Sequence, residues 1–213
     1  MRAAAWNVNG IRARQAQFAE WIERDQPDVV CLQEIKASPE QVPQPLRDLP
    51  GYWSHWHGSG GYSGVSLHLR QALFPEPPQF SYPTFDFENR IVQAQVGDLV
   101  LASVYVPNGG KDFGAKVSFL KALVGYAREL HDAGLSLILR RASSRSNPGG
   151  SCTSQTLSLS PKYLRLWAMR SVQASGCKRR LECERARDAL TVMRKPGGKR
   201  LCHDRKTAWD GQR

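Results

Sequence analysis

Apolar positions repeat with two different periods along the first 139 residues of this 213-residue chain. Residues 2–8 form a short apolar run that ends in polar Asn7 and Asn9. In residues 11–24, Ile11, Phe18, Trp21 and Ile22 fall on one helical stripe, the pattern of a surface helix lying over a sheet, and Pro27 stops it. Residues 28–33 (DVVCLQ) predict a buried strand with Glu34 just past its end. Ser38-Pro39-Glu40 predicts a further helix start, with Ser as cap and Pro at the first helical position.

Residues 52–57 alternate aromatic and polar side chains, and residues 64–69 alternate again, as half-buried strands do. Trp53 and Trp56 at strand spacing predict core positions rather than a platform for bases, with His55 and His57 partly exposed. Pro-rich residues 74–83 predict a loop. Residues 90–96 and 99–106 predict a hairpin turning at Gly97-Asp98. Residues 113–131 carry Val117, Leu120, Leu123, Val124, Ala127 and Leu130 at helical spacing, closed by Gly134, and residues 135–139 predict the next buried strand. Hairpins mixed with crossover helices argue for a layered α/β fold.

This regularity fades after Leu139. Only residues 163–172 and 181–193 retain a helical pattern, and residues 133–181 contain no acid. Charge divides at the same point. Residues 1–139 hold 12 Lys and Arg against 14 Asp and Glu, a net −2, whereas residues 140–213 hold 18 against 5, a net +13. The overall +11 therefore belongs to the C-terminal part, and the two parts need separate explanations. Four of the five cysteines (Cys152, Cys177, Cys183, Cys202) also lie there. With His203 they match no zinc spacing, so unpaired thiols in a basic segment are expected. No run of about 18 apolar residues predicts a membrane span, and the start, MRAAAWNVNG, does not read as a signal peptide. A cytoplasmic monomer is the expectation.

Candidate chemistry lies at strand ends. Mg²⁺ takes oxygen ligands, keeps several waters, and uses one or two carboxylates together with substrate phosphate. Asn7 and Glu34 both end predicted strands, where α/β sheets tend to place their sites. Read singly, Asn7 could equally cap a turn and Glu34 could be an exposed charge.

Five segments in order sharpen this picture: WNVNGIRAR (residues 6–14), PDVVCLQEIK (27–36), GYSGVS (61–66), ENRIVQA (88–94) and VYVPNGG (104–110). Together they resemble the exonuclease III family of apurinic/apyrimidinic endonucleases, within the DNase I-like superfamily, over residues 1–139. The resemblance implies a four-layer α/β sandwich. It implies hydrolysis of phosphodiesters in double-stranded DNA, at abasic sites and from 3′ ends, with Mg²⁺ or Mn²⁺. It marks Asn7 and Glu34 as the metal and phosphate site and Tyr105 as the active-site tyrosine. It places Arg12, Lys36, Tyr62, Arg90 and Asn108 against DNA, where Arg and Lys neutralise phosphates and a Tyr hydroxyl can donate to one. Two residues depart from the pattern: Ile35 stands where the family usually has Thr, and Asn89 where it often has Gly.

The resemblance implies a Gly-Asp-x-Asn motif after the strand at 135–139, but the chain continues Arg140-Arg141-Ala142-Ser143. It also implies a late Ser-Asp-His. The only late histidine, in Cys202-His203-Asp204, has the reverse order. The expectation is a nuclease domain present only in part over residues 1–139, joined to a basic segment over residues 140–213. A reading-frame change in the coding sequence is one origin, tested by resequencing near codon 140. A genuine divergent tail that binds nucleic acid through charge is the alternative. Because the missing groups act together on developing charge, little or no nuclease activity is expected; because the missing segment should also supply strands of the second sheet, an open edge and exposed apolar surface predict poor solubility. Two other functions remain open at this point: a small-molecule phosphatase of the same superfamily, and a non-catalytic nucleic-acid-binding protein.

Overall fold

A computed structural model describes residues 1–110 and 112–140. The expected helices at 163–172 and 181–193, the late cysteines, His203 and the rest of the basic segment lie outside the described residues.

The first sheet is built from β1 (Ala3–Asn7), β2 (Val29–Gln33), β3 (Tyr52–His57) and β4 (Val65–Arg70), in the order β1-β2-β4-β3. β1 and β2 run parallel, with Asn7 level with Gln33; the other pairings are antiparallel. The second sheet comprises β5 (Gln79–Ser81), β6 (Ile91–Val96), β7 (Leu99–Val104) and β8 (Ser136–Arg140), in chain order. Its β6–β7 hairpin turns at Gly97 and Asp98, and β7 pairs parallel with β8.

Alternation in the strands explains the layers, because successive side chains face opposite sides of a sheet. Ala3, Ala5, Val29, Cys31, Val65, Leu67 and Leu69 of the first sheet meet Val92, Ala94 and Leu101 of the second in a shared core. The other face of the first sheet, with Ala4, Val30 and Leu32, is covered by Phe18, Trp21 and Ile22 of α1 (Gln15–Asp25) and by Leu46 of α2 (Gln44–Arg47). The far face of the second sheet, with Val100, Ala102 and Val104, is covered by Leu120, Leu123, Val124 and Ala127 of α3 (Phe113–Asp132). The order helix, sheet, sheet, helix is the four-layer α/β sandwich.

Three expectations need adjustment. The stripe over residues 11–24 is not one helix: Ile11–Arg14 is a 3₁₀ turn and the α-helix follows it. Ser38 does form a capping box with Gln41, but the helix it starts is the single 3₁₀ turn Pro39–Gln41, after which Pro43 and Pro45 interrupt. The Pro-rich stretch 74–83 contains β5, whose three residues pair with β6 from Gln79↔Gln95 to Ser81↔Gln93. A strand so short and flanked by prolines leaves no alternation to read. Trp56 is buried, while Trp53 is half-buried and donates from Nε1 to the Phe74 carbonyl.

Candidate active site

The C-terminal ends of β1 and β2 are laced together by the backbone. Val8 N donates to Gln33 O (3.0 Å), Gly10 N to Glu34 O (2.8 Å) and Ile11 N to Ile35 O (3.0 Å). The loop of residues 58–64 closes the other side, with Ile35 N donating to Gly64 O and Lys36 N to Ser63 O. Holding this geometry takes left-handed backbone at Asn9, Glu34, Lys36 and Ser63, with φ of 46°, 54°, 51° and 46°. Non-glycine residues rarely adopt it, and it tends to cluster at functional sites. Ile35 is fully buried in the middle of this arrangement. A Cβ at Gly64 would lie 2.6 Å from Ile35 Cγ1, so only glycine fits there. The departure at residue 35 is thus a packing position beneath the site.

Asn7 and Glu34 meet. Asn7 Nδ2 donates to Glu34 Oε1 at 2.6 Å, and Asn7 Oδ1 accepts from Asn9 N at 3.1 Å. The Lys36 ammonium lies 3.5 Å from Glu34 Oε2 and donates to the Asn9 side chain. Glu34 is therefore the carboxylate on offer, and Asn7 turns its nitrogen rather than its oxygen towards it. Among the described residues no group of three or more His, Cys, Asp or Glu could hold a metal ion. A lone carboxylate fits Mg²⁺ or Mn²⁺, which keep waters and share substrate oxygens, and does not fit a closed Zn²⁺ site.

Tyr105 follows β7, and its backbone N donates to the Arg90 carbonyl. Burial pushes its phenol up to about 12; the Glu34 charge and a hydrogen bond to Glu34 push the same way, and Arg90 partly offsets them. The phenol is thus a donor throughout the neutral range.

Arg90 departs most from a simple phosphate contact, because it is only 3% exposed. Its Nε donates to Glu88 (2.6 Å) and its Nη2 to the Tyr62 hydroxyl (3.0 Å). Its guanidinium lies 5.0 Å from the centre of the Tyr105 ring and 5.5 Å from that of Tyr62, within cation–π range. Arg90 therefore holds two tyrosines in place, and its own Nη1 is buried without a partner. Arg12 is exposed on the 3₁₀ turn and Tyr62 is 54% exposed. Asn108 is exposed in the loop after β7, where its Oδ1 accepts from Gly110 N.

Two partners escape a motif-based reading. Asp86 accepts from the Arg90 backbone N (2.8 Å) and pairs with His57 Nε2 (2.7 Å), which fixes the loop before β6 against β3. Asn9 bridges Asn7 and Lys36. The signal for Asn9 lay in the N-x-N spacing of residues 7–9. For the His57–Asp86 pair no local signal exists, since 29 residues separate them.

The endonuclease/exonuclease/phosphatase family matches residues 4–178. The chain belongs to this family. The match continues past Leu139, to which the resemblance read from the five motifs is confined. Exodeoxyribonuclease III of Haemophilus influenzae is 35% identical over 143 residues, covering 62% of this chain and 53% of that protein. An AP endonuclease from Archaeoglobus fulgidus superposes with a TM-score of 0.56 at 25% identity, covering 65% of this chain and 55% of that one. A 3′ phosphatase from Neisseria, solved bound to a product DNA hairpin, gives 0.57 at 26%, covering 65% and 56%. The chain spans about half the length, or less, of the curated relatives it matches. Membership confirms the α/β fold implied by the motifs and their resemblance to exonuclease III and the AP endonucleases.

Proposed function

We propose that residues 1–140 form the metal- and phosphate-binding half of a DNA repair phosphodiesterase of the exodeoxyribonuclease III and AP endonuclease type. The substrate is double-stranded DNA carrying abasic sites or 3′ ends. The observation that carries this reading is the 2.6 Å contact between Asn7 and Glu34, with the Lys36 ammonium 3.5 Å from the same carboxylate. The relatives' names and the family match support it.

Glu34 would hold Mg²⁺ or Mn²⁺, with Asn7 and Lys36 fixing the carboxylate's orientation. When bound, such an ion polarises a phosphoryl oxygen and stabilises the departing one. The Tyr105 hydroxyl, a donor at working pH, is placed to bond a phosphate oxygen. Arg90 keeps its ring and that of Tyr62 from turning away. Arg12, Lys36, Tyr62 and Asn108 would contact the DNA backbone around this point. The groups expected to act on the nucleophile and leaving group are absent from the sequence after Leu139. Removing one stabilising donor commonly costs ~10²–10³ in rate, so this chain should turn over feebly.

Mn²⁺ titration followed by electron paramagnetic resonance tests the site apart from turnover. The unaltered chain should bind one ion and Glu34→Gln should bind at least tenfold more weakly; equal binding by the two proteins would sink the assignment. Robust Mg²⁺-dependent incision of an abasic duplex by the pure chain would instead overturn the expected impairment.

A second reading rests on the +13 charge of residues 140–213, a basic tail that binds DNA without chemistry. Binding that persists in EDTA and disappears when residues 140–213 are deleted would favour it.

A further inference from the structure

We propose that Phe87 is a stacking residue for a DNA base beside the candidate active site, an inference that rests on the nuclease reading above. Among the described large hydrophobic side chains Phe87 is the most exposed, at 88%, against 54% for Tyr62. A single exposed apolar residue is ordinary. The setting of this one is not, because the segment that presents it is fixed on both sides.

The preceding residue, Asp86, is held three ways: its N donates to Pro83 O, one carboxylate oxygen accepts from Arg90 N, and the other pairs with His57. The following residue, Glu88, accepts at its carbonyl from Ser63 Oγ and at its carboxylate from Arg90 Nε. Asn89 then donates to Ser59 Oγ at 3.0 Å. A phenyl ring on a braced loop loses little conformational freedom when something lies on it. The anchors lead to the site directly: Ser63 receives the backbone bond from Lys36, and Arg90 carries the Tyr62 hydroxyl and faces Tyr105. Tyr62 and Phe87 are thus two exposed aromatic rings on loops tied to one arginine.

Charge points to nucleic acid as the occupant. Arg12, Arg14 and Lys36 are on the adjoining 3₁₀ turn and β2 loop, all at least part-exposed, and a strand whose phosphates met these cations would bring its bases towards the aromatic rim. Phenylalanine has no hydrogen-bonding group, so it can stack on any base face without reading its identity. It suits an enzyme that must act regardless of sequence.

The test uses the full chain in EDTA with a duplex that carries an abasic analogue and, beside it, the fluorescent base 2-aminopurine. Salt is raised so that the basic C-terminal residues contribute least. Binding of the unaltered chain should quench 2-aminopurine. Phe87→Ala should bind roughly 5- to 150-fold more weakly, with the quench lost and the slope of affinity against salt unchanged, because a stack involves no counterion. Phe87→Trp should restore both. Arg12→Ala should instead flatten the salt slope by about one. Affinity and quench in Phe87→Ala equal to those of the unaltered chain would overturn the inference alone, and a protein partner for this ring would then be the better reading. Failure of the unaltered chain to bind the duplex would overturn the nuclease reading along with it.

Discussion

His68 shows how much a single side chain can reveal about conditions. It is wholly buried between Ser66 Oγ (2.8 Å) and Ser54 Oγ (2.9 Å), with the rings of Phe18 and Trp56 packed against it. Burial holds its pKa down to about 3, well below the ordinary 6.5. A histidine depressed on folding binds protons better in the unfolded chain, so its stabilising effect is complete above about 6.5 and is lost as pH falls towards 3. Between pH 6.5 and 4.5 this group alone should remove about 2 kcal/mol of stability. Denaturant melts at the two pH values check this, and His68→Gln should lose most of that pH dependence. Nothing in the pattern VSLHLR distinguishes such a histidine from a surface one, because the serines that satisfy it come from its own strand and from a neighbour. Asn7 and Glu34, by contrast, were legible as strand-end polar residues, and their proximity follows from the parallel pairing of β1 with β2. Arg90 was legible only in part: its motif marked it as important, but not that it would be buried between two tyrosines.

At the level of elements, the long periodic segments were readable and the short ones were not. α3 was expected at 113–131 and occupies Phe113–Asp132, because five buried side chains along one stripe leave little room for another structure. Its N-terminus depends on Asp112, whose side chain accepts from Ala115 N at 2.8 Å. Asp112→Ala should destabilise the fold by about 1 kcal/mol in thermal or denaturant melts. The loop that carries Gly64 makes a harsher demand. With φ of 84° and Ile35 Cγ1 2.6 Å from any added Cβ, Gly64→Ala should cost about 2–4 kcal/mol from backbone strain and overpacking together. It should also weaken Mn²⁺ binding, since Gly64 O holds Ile35 N beside Glu34. Full stability in that variant would refute the account. Asn89 makes the opposite case. Its φ of 53° explains why glycine or asparagine can stand there, and Asn89→Gly should change stability by less than about 1 kcal/mol.

Across the whole molecule, the two sheets share an interior of small and aliphatic side chains, with alanines at residues 3, 5 and 94 allowing close approach. The buried Ser103 hydroxyl, which donates to Leu32 O and accepts from Gln33 Nε2, ties one sheet to the other just below the site. Leu67, fully buried in this interior, should cost about 2–5 kcal/mol on truncation to Ala. A layered α/β fold was legible from the mix of hairpins and crossover helices, and its four layers from the family resemblance; strand order was not, since it depends on pairings between residues far apart in sequence. Charge is distributed against this architecture. Residues 1–139 carry a net −2, whereas residues 140–213 carry a net +13.

Among the described residues six non-glycine positions have left-handed backbone: Asn9, Glu34, Lys36, Ser63 and Asn89 lie in the loops that form the rim of the candidate site, and Gln26 lies at the end of α1. Tension of this kind works like a sprung clasp: the rim is where amides should first exchange with solvent as the protein warms. An occupant that gripped Glu34 and its neighbours would quiet that exchange locally, leaving α3 and the interior strands as they were.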